Sequence, residues 1–214
     1  MVQSPHFKEI FGFNKAKDDP TELVKIINDF FDDKNKQLLR IGFEDVGFDF
    51  QAREILANAL GRFLLNNARK GKYKKKPIVT FIDEAHQFLN KKVKDEYFDS
   101  VSLDSFDSIA KECRKHGLFL CIATQMPRDI PIGTLSQMGT FIVHRLINYN
   151  DKDAISNACS TANKNTLDFL PILGEGEAVL TGVDFPMPII MKFDLTENEP
   201  NFGTPKLTMN EQEE

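Results

Sequence analysis

The chain has 214 residues, 41% of them apolar and 10% aromatic, with 19 Phe and no Trp. That length suits one domain or slightly more, and the aromatic content excludes a globally disordered chain. A net charge of −5 excludes a compact basic protein that coats nucleic acid, so any such contact must come from a local patch.

Three cysteines without close pairing (Cys113, Cys121, Cys159) argue against a disulfide framework. No apolar run approaches the roughly 20 residues of a membrane span, and the opening residues lack a basic-then-apolar leader. The expectation is a soluble, cytoplasmic α/β protein without a membrane role.

In chain order, residues 1–37 read as an irregular and helical lead-in. Thr21 is the predicted N-cap of a short helix carrying Leu23, Ile26, Ile27, Phe30 and Phe31. Leu38 to Phe43 predicts a short strand. Phe48 to Lys70 predicts a long amphipathic helix with Ile55, Leu56, Ala59, Leu60, Phe63 and Leu64 on one face, stopped by the basic stretch 70–77.

Ile78 to Ile82 is almost wholly apolar, which suits a strand buried on both faces of a parallel sheet. Residues 90–106 read as a polar loop or short helix, then 108–116 as a helix closed by Gly117. Strands follow at 118–123 and 141–144, helices at 151–160 and 163–169, and a final strand pair at 177–180 and 188–191. Gly174 and Gly176 mark a turn before an edge strand. Residues 38–193 thus form a layered α/β core, and 194–214 a flexible, Pro-, Asn- and Glu-rich tail.

Chemistry concentrates at the strand ends. Asp83 and Glu84 follow the apolar strand 78–82 directly. At the carboxyl end of a parallel strand, two adjacent acids face the ligand crevice. In a phosphate-handling NTPase the first acid holds Mg²⁺ through water and the second orients the attacking water. The plainer reading is two acids favouring a helix N-terminus.

Thr124 and Gln125 occupy the same position after the next apolar strand. A Gln there senses the γ-phosphate or positions water, with Thr124 beside it as a nucleotide-side candidate; the plainer reading is a turn before Pro127. Arg114 ends the helix between these strands, as a charge that suits a helix C-terminus or as an arginine finger reaching a neighbouring subunit's ATP.

Four stretches taken together resemble the carboxyl-terminal half of HerA-type ATPases, in the HerA/FtsK branch of RecA-like motors. They are FIDEAHQFL (81–89), IAKECRKHGLFLCIATQMPRDIP (109–131), TLSQMGTFIVHRLINYNDKDAI (134–155) and LPILGEGEAVLTG (170–182). The resemblance implies a RecA-like P-loop NTPase fold, mostly parallel with helices on both faces. It implies Asp83 and Glu84 as the Walker B pair, Gln125 as the sensor, and Arg114 or Arg145 as the finger. It also implies ATP and Mg²⁺, a hexameric ring, double-stranded DNA as the track, and a nuclease or other effector as partner.

One departure is large: the phosphate-binding loop G-x-x-x-x-G-K-[ST] does not occur. Gly42 to Asp49 has the glycine spacing but no Lys or hydroxyl, and its acids repel phosphate. The expectation is a truncated or partial ATPase whose phosphate loop lies upstream, weakly active or inactive alone. A non-catalytic assembly subunit and a conjugation or packaging ATPase are the competing readings.

The string Asp83-Glu84-Ala85-His86 also suggests a DEAH-box helicase, but those enzymes carry Ser-Ala-Thr where this chain has Ala123-Thr124-Gln125. His86 is therefore expected to be a structural helix residue. Lys91, Lys92 and Lys94 are candidates for DNA contact at a ring's pore, and the basic loop 70–76 for phosphate contact; a solvated charge run is the plainer account of both.

Overall fold

The computed structural model describes residues 23–47, 51–89, 91–93, 100–159 and 167–194. The chain divides into two compact units, the first ending at Ala123 and the second beginning at Thr124.

Among the described residues, the first unit holds three helices, a parallel strand pair and a short antiparallel pair. Helix α1 spans Leu23–Asp32; its predicted cap, Thr21, lies outside the described residues. The predicted strand at 38–43 does not form. Leu38 is 86% exposed and, among the described residues, no strand offers this segment a hydrogen-bonding edge, without which an apolar run gains little by extending. Arg40 pairs instead with Glu44.

Helix α2 spans Ala52–Arg69 and follows Gln51, whose φ is 56°. Glu54 in its first turn and Arg69 in its last both favour the helix dipole. Gly71, at φ 79°, closes it by donating to the Ala68 carbonyl at 2.8 Å.

The predicted apolar face of α2 is not the buried one. Ala57, Asn58, Gly61, Leu65 and Ala68 are buried, while Ile55, Leu60, Phe63 and Leu64 are half-buried. The reason is close helix packing: α3 (Ser105–Glu112) approaches so tightly that a Cβ on Gly61 would stand 2.3 Å from Ser105 Oγ. Small residues allow that approach, whereas the larger side chains flank it. Asn58 Oδ1 accepts the buried Ser105 N–H at 3.0 Å.

Strands β1 (Ile78–Ile82) and β4 (Leu118–Ile122) pair in parallel, with Ile78 opposite Leu118 and Ile82 opposite Ile122. Helix α3 packs against β4 and buries Ile109, Cys113 and Leu118. The expectation of burial on both faces fails, since Val79 is 55% and Phe81 75% exposed. Side chains alternate along a strand, so covering one face leaves the other set bare.

Residues 90–106 are not simply a loop. Strands β2 (Lys91–Val93) and β3 (Val101–Leu103) pair antiparallel there, and α3 begins at Ser105, three residues before the predicted start. A 3₁₀ turn, Arg114–His116, replaces the predicted last helical turn and ends at Gly117, φ 78°. A Cβ at Gly117 would stand 2.4 Å from the Tyr73 carbonyl oxygen, so both backbone angle and space call for glycine.

In the second unit, short helix α4 (Ile132–Leu135) and helix α5 (Tyr149–Ala158) accompany three antiparallel strands in the order β5 (Thr140–Val143), β6 (Glu177–Gly182), β7 (Ile189–Lys192). Asn148 caps α5 by accepting the Asn150 N–H at 2.9 Å, which moves the helix start before the predicted Asp151. The turn at Gly174 and Gly176 forms, but β6 beyond it is the central strand, not an edge. The α/β class is thus as expected; among the described residues β1 and β4 pair in parallel, whereas β2–β3 and the three strands of the second unit pair antiparallel, so the strands are not mostly parallel as expected.

Candidate functional site

The carboxyl end of β1 is where the chain changes direction. Ala123 donates to the Ile82 carbonyl at 2.9 Å, and Ala85 donates to the Ala123 carbonyl at 2.9 Å. These bonds carry the parallel ladder past the last paired residues and hold the two strand ends level. The apolar-to-polar switch at Ile82–Asp83 falls at the strand end.

Asp83 is exposed, and its Oδ1 accepts the Glu84 N–H at 2.9 Å. Glu84 takes φ 47° and ψ 47°, a left-handed conformation that a residue with a side chain adopts at a cost of roughly 1–2 kcal/mol. A 3₁₀ turn, Ala85–Gln87, follows, with Gln87 donating to the Glu84 carbonyl at 2.8 Å. The turn folds His86 back, so that its Nδ1 lies 3.2 Å from Glu84 Oε2. That oxygen is shielded from solvent, and the approach is not aligned as a hydrogen bond.

His86 is thus a residue that reasoning on the sequence assigned to structure and that the fold sets against Glu84. The signal was available only as the bare i, i+2 spacing, which on the helix expected there sets two side chains on different faces.

The other predicted positions fall as follows. Thr124 and Gln125 open the second unit. Thr124 Oγ1 accepts the Met126 N–H at 3.1 Å, a local turn that shapes the backbone around Gln125, whose own side chain is exposed. Arg114 sits in the 3₁₀ turn after α3 and Arg145 follows β5; both are exposed. Arg40, Arg53, Arg62, Arg69 and Arg128 each bond a carboxylate or a carbonyl, whereas Arg114 and Arg145 make no ion pair with a described residue. Lys91 and Lys92 lie on β2, Lys92 exposed and Lys91 half-buried; Lys94 lies outside the described residues.

Two ligand groups can be tested against this geometry. No cluster of three or more His, Cys, Asp or Glu stands ready to cage a metal among the described residues. Mg²⁺ needs no such cage: it commonly rests on one or two carboxylates, with waters and substrate phosphates completing its shell. An exposed carboxylate at a strand end, Asp83, fits that pattern.

A triphosphate needs a nest of N–H groups and a cation, and residues 42–47 offer the reverse. Their carbonyls face a cation, with Arg53 Nε donating to the Val46 carbonyl at 2.6 Å. Glu44 is held below its usual carboxylate range by backbone hydrogen bonding and by Arg40, which keeps a negative charge in the segment. The structure thus agrees in rejecting this stretch as a phosphate loop.

Residues 63–197 match the family model described as "Helicase HerA-like C-terminal". The chain belongs to the HerA-like helicase C-terminal family. A DNA double-strand break repair helicase HerA of Sulfurisphaera tokodaii is 28% identical over 220 residues, covering 93% of this chain and 43% of that protein. Its counterpart in Pyrococcus furiosus is 32% identical over 129 residues, covering 60% of this chain and 22% of that protein. The HerA-like chain therefore spans under half the length of the relatives it matches.

Among solved structures, the genome packaging NTPase B204 from Sulfolobus turreted icosahedral virus 2 in complex with AMPPCP aligns with a TM-score of 0.50 at 19% identity. The alignment covers 65% of this chain and 63% of that one. This likeness is one of fold: the HerA-like chain shares the layered α/β architecture of that NTPase. No helix among the described residues is long and apolar enough to cross a membrane.

Proposed function

We propose that this HerA-like chain is the carboxyl-terminal part of an ATP-hydrolysing, ring-forming DNA translocase that works with a nuclease or another effector. The observation that carries the reading is the acidic pair at the end of a parallel strand, with Glu84 in a left-handed turn where ordinary folding would favour glycine or Asn. Family membership supports it.

In this reading Asp83 would hold Mg²⁺ through water, a cation that would supply charge to offset the phosphates. Glu84 orients the attacking water and takes its proton. Gln125 senses the γ-phosphate from the turn shaped by Thr124. Arg114 or Arg145, each exposed and without an ion pair to a described residue, reaches the ATP of the next subunit in a six-membered ring. Lys91 and Lys92 on the β2–β3 pair supply phosphate contacts to double-stranded DNA, with Lys94 beyond them. The 214 residues contain no G-x-x-x-x-G-K-[ST], so by itself the chain turns over ATP weakly or not at all. That same absence is what favours the second reading, a non-catalytic assembly subunit.

A hybrid decides between them. Residues 63–194 replace the corresponding segment of the Sulfurisphaera relative, which is assayed for DNA-stimulated phosphate release. Retained hydrolysis that Glu84→Gln lowers by a hundredfold or more, on the scale of losing a positioned base, supports the catalytic reading. A hybrid that assembles, as judged by sedimentation, yet hydrolyses nothing supports the assembly subunit.

A further inference from the structure

We infer that the amino-terminal edge of the β1–β4 pair is a nucleic-acid surface, where two loops, 70–76 and 114–116, together take the phosphates of a duplex backbone. It shares with the reading above only DNA as the ligand. It is separate from the lysines of β2 and does not depend on Glu84 or on hydrolysis.

The two loops are far apart in sequence and adjacent in the fold. β1 and β4 run parallel with Ile78 opposite Leu118, so the segments leading into them meet at one edge. Ile78 donates to the Gly117 carbonyl at 2.9 Å. A Cβ on Gly117 would stand 2.4 Å from the Tyr73 carbonyl oxygen and 3.4 Å from the Lys74 nitrogen. The chain at 114–117 therefore runs beside the chain at 70–76. Asp83 and Glu84 lie beyond the other end of β1, a strand's length of roughly 13 Å away. Phosphates held at this edge are not those of a nucleotide at the same chain's acidic pair.

Charge collects on this edge. Lys70, Lys72, Lys74, Lys75, Arg114 and Lys115 are exposed and make no ion pair with a described residue. Of the acids near these stretches, Glu112 is engaged by Arg69 and Asp33 by Lys36, while Asp32 at the end of α1 is exposed. In a chain of net charge −5, an edge of this kind is the local patch that a nucleic-acid contact requires.

The longer loop is braced. Gly71 and Lys72 donate to the Ala68 and Asn67 carbonyls at 2.8 and 3.1 Å, and Lys74 to the Gly71 carbonyl at 3.3 Å. Tyr73 is 2% exposed, and its ring packs 5.3 Å from that of Phe31. Lys76 secures the loop to the end of α1, donating to the Phe31 and Asp33 carbonyls at 3.3 and 3.2 Å. With Tyr73 buried, the exposed residues of 70–77 and 114–117 are cationic apart from Pro77. Protein partners are held through an apolar or aromatic centre. A surface of cations suits instead a polyelectrolyte, whose released counterions supply the affinity. Contacts of that kind touch no base edge, so binding should ignore sequence.

The test titrates the 214-residue chain into a labelled duplex of about 20 base pairs and reads anisotropy at salt from about 50 to about 200 mM. The expected slope of log affinity against log salt is roughly −3.6 to −5.4, for four to six engaged cations at about 0.9 each. Lys74→Ala with Lys75→Ala should weaken binding by about tenfold or more at ~100 mM salt and flatten the slope by about 2. Lys115→Ala should flatten it by about 1, which places both loops on one duplex. Lys74→Arg with Lys75→Arg keeps the charge and should bind within about threefold of the parent. Arg114 is left unchanged, because it is also a finger candidate.

Four results overturn the inference. The absence of salt-dependent binding at ~50 mM does so, and leaves the hydrolysis test of the hybrid standing. Binding lost in Lys91→Ala with Lys92→Ala but kept in the loop variants moves the contact to β2, and the DNA reading survives. Binding lost in the Arg pair makes the lysines structural. Polyglutamate held more tightly than the duplex at equal charge makes the edge a surface for acidic protein.

Discussion

Asp151 accepts two hydrogen bonds from Arg128, from its backbone N–H at 3.2 Å and from Nη1 at 3.3 Å. The carboxylate is 4% exposed and lies in the first turn of α5, where negative charge also suits the helix dipole. It ties the loop that follows Gln125 to that helix. Removing one partner of a buried pair leaves the other uncompensated, but Arg128 is 37% exposed and partly solvated. We therefore expect Asp151→Ala to cost about 2 kcal/mol, below the usual range for a buried pair. Asp151→Asn, which keeps an acceptor for the Arg128 N–H, should cost about half as much. Thermal unfolding followed by circular dichroism measures both, and equal melting temperatures for the two variants would show that the acceptor kept by Asn contributes nothing.

The α2–α3 contact gives a second prediction. Alanine is the better helix former by about 1 kcal/mol, yet Gly61→Ala should destabilise the first unit, because the new Cβ meets Ser105 Oγ at 2.3 Å and Ser105 Cβ at 2.9 Å. Overpacking typically costs about 1–3 kcal/mol. Ser105→Ala removes the nearer atom, so the double variant should be less impaired than the sum of the single ones by about 1 kcal/mol. Strict additivity in a urea-unfolding cycle would count against the contact as described.

Glu84 supplies a test that separates stability from activity. Its φ of 47° strains any residue with a Cβ and costs glycine little. Glu84→Ala and Glu84→Gly lose the same contact with His86, so their difference isolates the backbone. Glu84→Gly should be the more stable by about 1 kcal/mol, although both lose hydrolysis in the hybrid. If the alanine variant melts as high as the glycine variant, the left-handed turn is not retained in solution.

Alkaline stability follows from two buried groups. Burial pushes the Cys113 thiol up, with the Glu112 carboxylate adding to it, and burial likewise raises the Tyr73 phenol. Below the ordinary thiol and phenol values both states keep these protons. As pH rises past about 8.5 for Cys and about 10 for Tyr, the unfolded chain releases them first. Stability must then fall with rising pH, until the folded groups also ionise. Tyr73→Phe keeps the ring that packs 5.3 Å from Phe31 and should flatten the part of the decline above pH ~10. Urea midpoints between neutral pH and pH ~11 read this directly, and an unchanged slope in Tyr73→Phe would remove the phenol from the account.

Much of the fold was legible because local patterning carried it. The apolar run Ile78–Ile82 ending in two acids, the positive-φ glycines at Gly117 and Gly176, and the spacing of β5, β6 and β7 all declare themselves within a few residues. The strand at 38–43 failed because an apolar run specifies a strand only when a partner edge exists, and no strand among the described residues supplies one. The buried face of α2 was misread for a related reason. Periodicity marks the large apolar residues, whereas close approach of a second helix buries the small ones.

The sequence by itself determined the identity and order of the chemical groups: Asp83 and Glu84 after one apolar strand, Thr124 and Gln125 after the next, and an arginine between them. Only the tertiary structure decided that the two strands pair in parallel with their carboxyl ends level. It alone decided that Glu84 turns left-handed and that His86 closes on it. Residue types and spacing along a chain are local, one-dimensional properties. A backbone held in a costly conformation is not: it exists only where hydrogen bonds from another strand, here the Ala123 carbonyl to Ala85, compensate for it.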